Sequence, residues 1–238
     1  MRRSIAFLPL LLLTACSVQR QEIGVPAQTL PATGVTRLSL DVDVGRVTIT
    51  SSNDGQVHVA LSLTPSSSFF GLLTNSASLT AAQHATISHV LANGVLTLGV
   101  QYPANTDASD ISEHWNVALP PAVAVAGHVN VGELNVSGIA GGVDAGLNVG
   151  SVRLDVPGGP LKVSANVGKI QATAHSLDYS DIALTAGVGE AGLTVEGVNA
   201  GDTRKSGAGE NVNYKLNGSS SINLQVTTGS VKMALLAH

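Results

Sequence analysis

The sequence predicts an all-β protein whose C-terminal half forms a β-solenoid (β-helix-like) of about six coils. Two observations predict it: a glycine recurs at nearly fixed spacing, and apolar residues alternate with polar or small ones on both sides of it. A period of about 20 residues indicates stacked supersecondary units, because one unit cannot cover its own apolar face. The recurring glycines are Gly132, Gly150, Gly168, Gly189, Gly209 and Gly229.

Each copy of the motif contains two short strands that meet at the glycine. Alternation with a period of two indicates strands with one buried face. Glycine suits the bend because it adopts a positive φ without steric cost. The valines that directly precede the first three glycines, Val131, Val149 and Val167, are expected to face inward and to stack in a column.

Three copies read Asn-Val-Gly, and their asparagines, Asn130, Asn148 and Asn166, are equally spaced along the chain. If the coils stack in register, these amides can form a hydrogen-bonded ladder. A ladder that fixes the register is the favoured interpretation, and a polar binding track is the alternative.

The segment 1–15 is typical of an export signal, since Arg2 and Arg3 precede an apolar run over positions 5–13. That run is shorter than the ~20 residues needed to span a bilayer. It ends in Leu-Thr-Ala-Cys at Cys16, the only cysteine, and this resembles the bacterial lipoprotein signal box. The resemblance implies cleavage before Cys16, lipid on its sulfur and an acyl chain such as palmitate on its amino group. Ser17 in place of aspartate implies an outer-membrane lipoprotein, and an ordinary signal with a chance cysteine is the alternative.

The mature chain is expected to have three parts. Residues 16–34 are predicted to be the lipidated cysteine and a tether, residues 35–122 an N-terminal β section, and residues 123–238 the repeat array. The N-terminal section carries an outlying copy of the motif around Gly45, a hairpin turn at residues 92–94 and a strand in which Trp115 faces inward.

Composition excludes some partners. The formal net charge is −4, and loss of Arg2 and Arg3 makes it −6, which disfavours nucleic acid as a partner. Aromatic residues are only 3% of the chain, so stacking platforms for sugars or bases are scarce.

The repeat pattern fails at residues 201–207, which show no apolar alternation. A gap in a strict pattern can mark a functional site, although an excursion of the backbone into solvent is the favoured alternative. Glu190 and Glu210 follow equivalent glycines and could face each other near Arg204 or Lys205. The candidate binding residues are Asp202, Arg204, Lys205, Glu190 and Glu210. No zinc, phosphate-loop or nucleophile motif is present, so the sequence predicts no metal, no cofactor and no enzymatic activity.

The chain resembles the bacterial putative-adhesin family of β-strand-repeat envelope proteins, a domain of uncharacterised function. The matching segments are Leu38 to Ile49, Trp115 to Pro120 and the Gly-x-Val-x-Leu copies that begin at Gly132. The resemblance implies a lipid-anchored, non-enzymatic binding or adhesion-like module of the cell envelope. Its partners would be the membrane, through the lipid, and an envelope or surface protein or glycan. A periplasmic scaffold or assembly factor is the alternative, followed by an enzyme acting on envelope polysaccharide.

Overall fold

The computed structural model describes residues 22–65, 76–104, 106, 108 and 110–237, and it shows an all-β protein with one short helix in that part of the chain. The predicted signal peptide and Cys16 lie outside these residues. The elements are β1 (Ile23–Pro31), β2 (Arg37–Ser51), β3 (Gln56–Pro65), α1 (Ser76–Gln83), β4 (Thr86–Ala92), β5 (Val95–Gln101), β6 (Ile111–Leu119), β7 (Ala124–Ser137), β8 (Val143–Val156), β9 (Leu161–Ala174), β10 (Tyr179–Val195), β11 (Val198–Asn199), β12 (Asp202–Ser206), β13 (Gly209–Lys215) and β14 (Ser220–Leu235).

Six long strands form a parallel, in-register stack in the order β2-β7-β8-β9-β14-β10. Each bends at a glycine, and we call the part before the glycine the first arm and the part after it the second arm. The inward residues of both arms belong to one continuous core. The glycines pair in register across the stack, in the order Gly45, Gly132, Gly150, Gly168, Gly229 and Gly189.

A positive φ, between 126° and 153°, occurs at every glycine of this column. A Cβ at any of the last five would overlap the carbonyl oxygen of the neighbouring glycine, and one at Gly45 would overlap that of Glu113. Both observations exclude any residue with a side chain, so the column holds the bend and the strand spacing together.

The expectation of six consecutive coils is not confirmed, because β14 lies between β9 and β10. Within the six-strand stack, only β7, β8 and β9 follow one another both in sequence and in space. Gly209 was wrongly assigned to the stack, since β13 runs antiparallel to β10 and pairs Glu210 with Ala186. Gly45, at the N-terminal end of the column, is its sixth member, so the outlying copy is part of the stack. The result is a large open sheet.

The valines before the glycines do stack, with Val131 beside Val149 and Val149 beside Val167. Their predicted orientation was wrong, since they are 42%, 46% and 49% exposed. In β7 the buried residues nearest the bend are Val129 and Leu134, which are five positions apart. In a regular strand, residues an odd number of positions apart point to opposite faces. Both of these residues point inward, so the bend interrupts the alternation, and the valine before each glycine points towards solvent.

At the N-terminal end of the stack the two arms of β2 pair with different strands. Its first arm pairs with β5, which pairs with β4, whereas its second arm pairs with β6, followed by β3 and β1. The predicted hairpin turn lies between β4 and β5, with positive φ at Asn93 and Gly94. Trp115 is buried as predicted. The prediction of a tether over residues 16–34 is corrected for residues 23–31, because they form strand β1, which pairs with β3.

The C-terminal end diverges in the same way. The first arm of β10 pairs with β13, which pairs with β12, and the end of its second arm pairs with the two-residue strand β11. Along the described residues, no helix has the length and apolar character needed to cross a membrane.

Candidate functional site

The segment that breaks the repeat pattern, residues 201–207, contains an ordered strand, β12, at the edge of the sheet. Asp202, Arg204 and Lys205 are all exposed there. Lys205 pairs with Glu210 across the β12–β13 hairpin, with 3.1 Å between Nζ and Oε1. Residues 201–207 are all exposed, so the backbone does extend into solvent here, as an ordered hairpin that continues the sheet beyond β10.

Glu210 joins this hairpin to the second arm of β10. Its Oε2 accepts a hydrogen bond of 3.2 Å from the backbone N–H of Ala191. Hydrogen bonds from Lys205 and then from Ala191 lower the pKa of Glu210. An ionised carboxylate that satisfies a strand-edge N–H has a structural role at the end of the stack.

Glu190 does not join this pair. It is exposed on the second arm, in register with Ser230 of β14. No hydrogen bond or ion pair links Glu190 to Glu210, Arg204 or Lys205 within the described part of the chain. Nor do the described residues contain a cluster of three or more His, Cys, Asp or Glu side chains that could hold a metal ion. Of the five candidate residues, the structure brings together only Lys205 and Glu210.

The three asparagines at the bend form a hydrogen-bonded ladder. Asn148 donates its Nδ2–H to Oδ1 of Asn130 at 2.6 Å, and Asn166 donates to Oδ1 of Asn148 at 2.8 Å. These bonds run along the stack beside the glycine column and support its register.

An exposed apolar stripe runs along the outside of the bend, and sequence reasoning missed it. We call it the valine ridge. Thr228 of β14 lies in it, between Val167 and Val188. Its apolar members, which are between 41% and 49% exposed, are Val44, Val131, Val149, Val167 and Val188. Six strands at a spacing of ~4.8 Å make the ridge about 24 Å long. The signal was present in the sequence, since a valine directly precedes five of the six glycines of the column, outside the inward pattern of the two arms.

Polar residues flank the valine ridge on both sides. The asparagine ladder lies on the first-arm side, and on the second-arm side a row in register contains Arg46, Glu133 and Ser151. Arg46 donates a hydrogen bond of 3.0 Å from Nε to Oε2 of Glu133. An apolar centre with a polar rim is the usual composition of a protein-binding surface.

A second feature that sequence reasoning missed is a half-buried carboxyl group where the arms of β2 diverge. Glu113 accepts hydrogen bonds from Nε1 of Trp115 at 2.8 Å and from the hydroxyl of Tyr102 at 3.5 Å. Burial and the nearby charge of Asp43 raise the pKa of Glu113 against the opposing effect of those bonds. Burial and Glu113 also raise the pKa of Tyr102. The group provides a partner for the indole N–H of a buried tryptophan, which otherwise lacks one.

No protein-family model matches the sequence, and no curated protein matches it. The chain is similar to the crystal structure of a putative cell adhesion protein from Clostridium sporogenes, with a TM-score of 0.53 and 13% identity over 92% of this chain and 100% of that chain. It is less similar to a putative adhesin from Bacteroides fragilis, with a TM-score of 0.25 and 9% identity over 92% and 95% of the two chains. The first similarity shows a shared fold, and the second is too low to carry an argument.

Proposed function

We propose that this chain is a lipid-anchored, non-enzymatic binding module of the bacterial cell envelope, belonging to the putative-adhesin family it resembles. In this proposal the lipid at Cys16 holds the protein on the outer membrane. The β-sheet body presents a surface to an envelope or surface protein.

The valine ridge carries the binding part of the proposal. Single exposed apolar side chains are common, but contiguous apolar surface with a polar rim is characteristic of interaction sites. Here five valines share one column, and the glycines beside them fix the backbone. A rigid apolar ridge loses little conformational entropy on binding, which favours association with a complementary apolar surface.

Two further points support the proposal. One solved structure that shares this fold is that of a putative cell adhesion protein. The resemblance of residues 13–16 to a lipoprotein signal box supports a lipid anchor at Cys16.

The ridge can be tested by photo-crosslinking in living cells that produce the full chain. A photoreactive side chain at position 149 is expected to form a discrete adduct with one envelope partner. The matched control is the same side chain at position 198, because Val198 is 70% exposed but lies outside the ridge. Adducts of equal yield at both positions, or none at position 149, would refute a specific ridge interface.

Substitution tests the chemistry of the interface. The triple variant V131T/V149T/V167T keeps β-branched side chains but introduces hydroxyl groups, so we expect partner association to fall with little loss of folding. The control variant V90T/V198T changes two valines that are 62% and 70% exposed elsewhere. Partner association should survive in this control.

Anchor and orientation are tested separately. Cys16→Ser should move the protein from the membrane to the soluble fraction if the cysteine is lipidated. Protease added to intact cells should degrade a surface-displayed module and spare a periplasmic scaffold, so protection would favour the alternative function.

A further inference from the structure

The outer face of the second arms contains an open groove of about 560 Å³. It lies on a different face from the valine ridge. Three of its polar lining residues, Arg153, Gln171 and Lys232, come from β8, β9 and β14, and three more residues, Gly192, Thr194 and Asn199, come from β10 and β11.

The groove exists because a side chain is absent at Gly192. Gly192 belongs to a row of residues in register across four neighbouring strands. The other members of the row are Lys232, Gln171 and Arg153, in that order. A Cβ at Gly192 would contact nothing within 4 Å. The hairpin that pairs Thr194 with Asn199 forms the wall beyond it.

Three cations surround Gln171 on this face. Arg153 and Lys232 are in register with it on the two neighbouring strands, which places their backbones about 10 Å apart. Lys169 is two residues before Gln171 on β9, so it projects from the same face, beside the groove and outside its lining. All three cations are exposed.

Few ion pairs neutralise these cations. Of the three, only Arg153 has an ion pair among the described residues, to Glu133 at 3.4 Å, and Arg46 shares that carboxylate. Asp155 on the same face pairs with His175 at 2.7 Å and with none of the three cations. Two lysines are left without a carboxylate partner in the described part of a chain whose net charge is −4. Glu190 also projects from this face, opposite Ser230, which is two residues before Lys232 on the neighbouring strand. It has no ion pair with either lysine among the described residues and does not line the groove.

We propose that this groove binds a small, hydroxyl-rich anion of the sugar phosphate type. Lys232, Lys169 and Arg153 supply the positive charge for the phosphate, and charge-assisted hydrogen bonds to phosphate are the stronger kind. Gln171, Thr194 and Asn199 offer neutral donors and acceptors for hydroxyl groups. The volume is in the range of small-molecule sites. This inference goes beyond the proposed function and does not depend on it, since no member of the valine ridge lines the groove.

The test is an isothermal calorimetric titration of the full chain, purified in detergent, with glucose 1-phosphate. We expect saturable binding that weakens with added salt. The double variant K169Q/K232Q should raise the dissociation constant by roughly tenfold or more, because two charged contacts are removed. Gly192→Leu should abolish binding by filling the groove while leaving every cation in place.

The matched control is K162Q/K215Q, which removes the same charge from the first-arm side of the sheet, where the two lysine side chains are 76% and 87% exposed. Its dissociation constant should stay within about twofold of the wild-type value, the change expected of exposed, screened charges. Melting curves establish that each variant is folded. No binding by the wild-type chain, equal weakening by the two lysine pairs, or wild-type affinity in Gly192→Leu would each overturn the proposal.

A competition experiment identifies the source of the ligand. Vesicles of phosphatidylcholine and phosphatidylglycerol carry a hydroxyl-bearing phosphate on a lipid, and vesicles of phosphatidylcholine alone are the control. Displacement of glucose 1-phosphate by the first vesicles only would assign the groove to a lipid headgroup. Retention of the sugar phosphate would assign it to a soluble ligand.

Discussion

The middle of the stack and its two ends are built differently. In β7, β8 and β9 each strand pairs with the next along both arms, all in parallel and in register. At β2 and β10 the two arms separate, and from there most strands are short and antiparallel. Repetition therefore specifies the middle of the stack, whereas particular side chains specify where the stack ends.

The contacts that hold each region differ accordingly. In the middle, the backbones of neighbouring strands pack closely at the glycine column, and side-chain amides form hydrogen bonds to one another in the asparagine ladder. At the ends, the carboxyl groups of Glu113 and Glu210 satisfy an indole N–H and a strand-edge N–H. The edge strands are also protected, since β1 contains Pro26, Pro31 and a bulge and β12 carries Arg204 and Lys205. Substitutions in the middle should thus cost more stability than substitutions at the ends.

Gly150→Ala is expected to have the largest effect. Its Cβ would overlap the carbonyl oxygen of Gly132 in a backbone with φ of 141°, so we expect a loss of more than about 3 kcal/mol or failure to fold. Thermal unfolding followed by circular dichroism measures it. Gly192→Ala is the control, because its site is open, and it should change stability by no more than about 0.5 kcal/mol. Equal melting of the two variants would show that the column does not limit substitution.

Asn148→Ala should have the next largest effect. It removes both ladder bonds, whereas Asn166→Ala removes one. At about 1 kcal/mol for each hydrogen bond, we expect losses of about 2 and about 1 kcal/mol in chemical denaturation. Equal losses would mean that the amides act independently and not as a ladder.

Glu113→Gln should stabilise the N-terminal end at neutral pH. Because the pKa of Glu113 is raised in the folded state, the wild-type chain loses stability as the pH rises from the ordinary value of 4.5 through that folded pKa. Glutamine stays neutral and still offers an oxygen to Trp115. The variant should therefore melt higher than wild type at pH 7, with the difference closing towards pH 4. Glu190→Gln, which changes the same charge at an exposed site, should not reproduce this pH dependence.

Glu210→Gln should have the smallest effect and the opposite sign. The pKa of Glu210 is lowered in the folded state, so its contribution is present above the ordinary value of 4.5 and is lost as the pH falls through the folded pKa. The variant should melt slightly below wild type at pH 7 and level with it in acid. Added salt should also reduce the gap, since Lys205 is exposed. A gap that is independent of pH would exclude the carboxylate as its cause.

Much of the middle could be predicted from the sequence. Periodic glycines place Gly132, Gly150 and Gly168 correctly, and the alternation identifies the buried residues of both arms, because a buried face needs a period of two. The same pattern around Gly45 correctly indicates a further copy. The alternation gives the wrong orientation for Val131, because the inward–outward alternation of side chains does not continue through a bend with positive φ.

The order of the strands could not be predicted from spacing. Gly209 and Gly229 are both about one period from their neighbours, yet only Gly229 enters the column. A local pattern does not encode which edge a strand joins, or in which direction. The candidate site stays a prediction, and the pattern alone could not decide it, because a gap in apolar alternation at Arg204 is typical of an edge strand as well as of a site. The groove at Gly192 is lined by residues from five strands, and it emerges only once their register is known.

The insertion of β14 between β9 and β10 has a consequence for biogenesis. Until residues 220–235 have been synthesised, β9 and β10 each present an unpaired edge, and the apolar residues that will contact Leu224 and Val231 have no cover. The stack therefore closes only after β14 has been synthesised. A nascent chain stays incompletely folded until then.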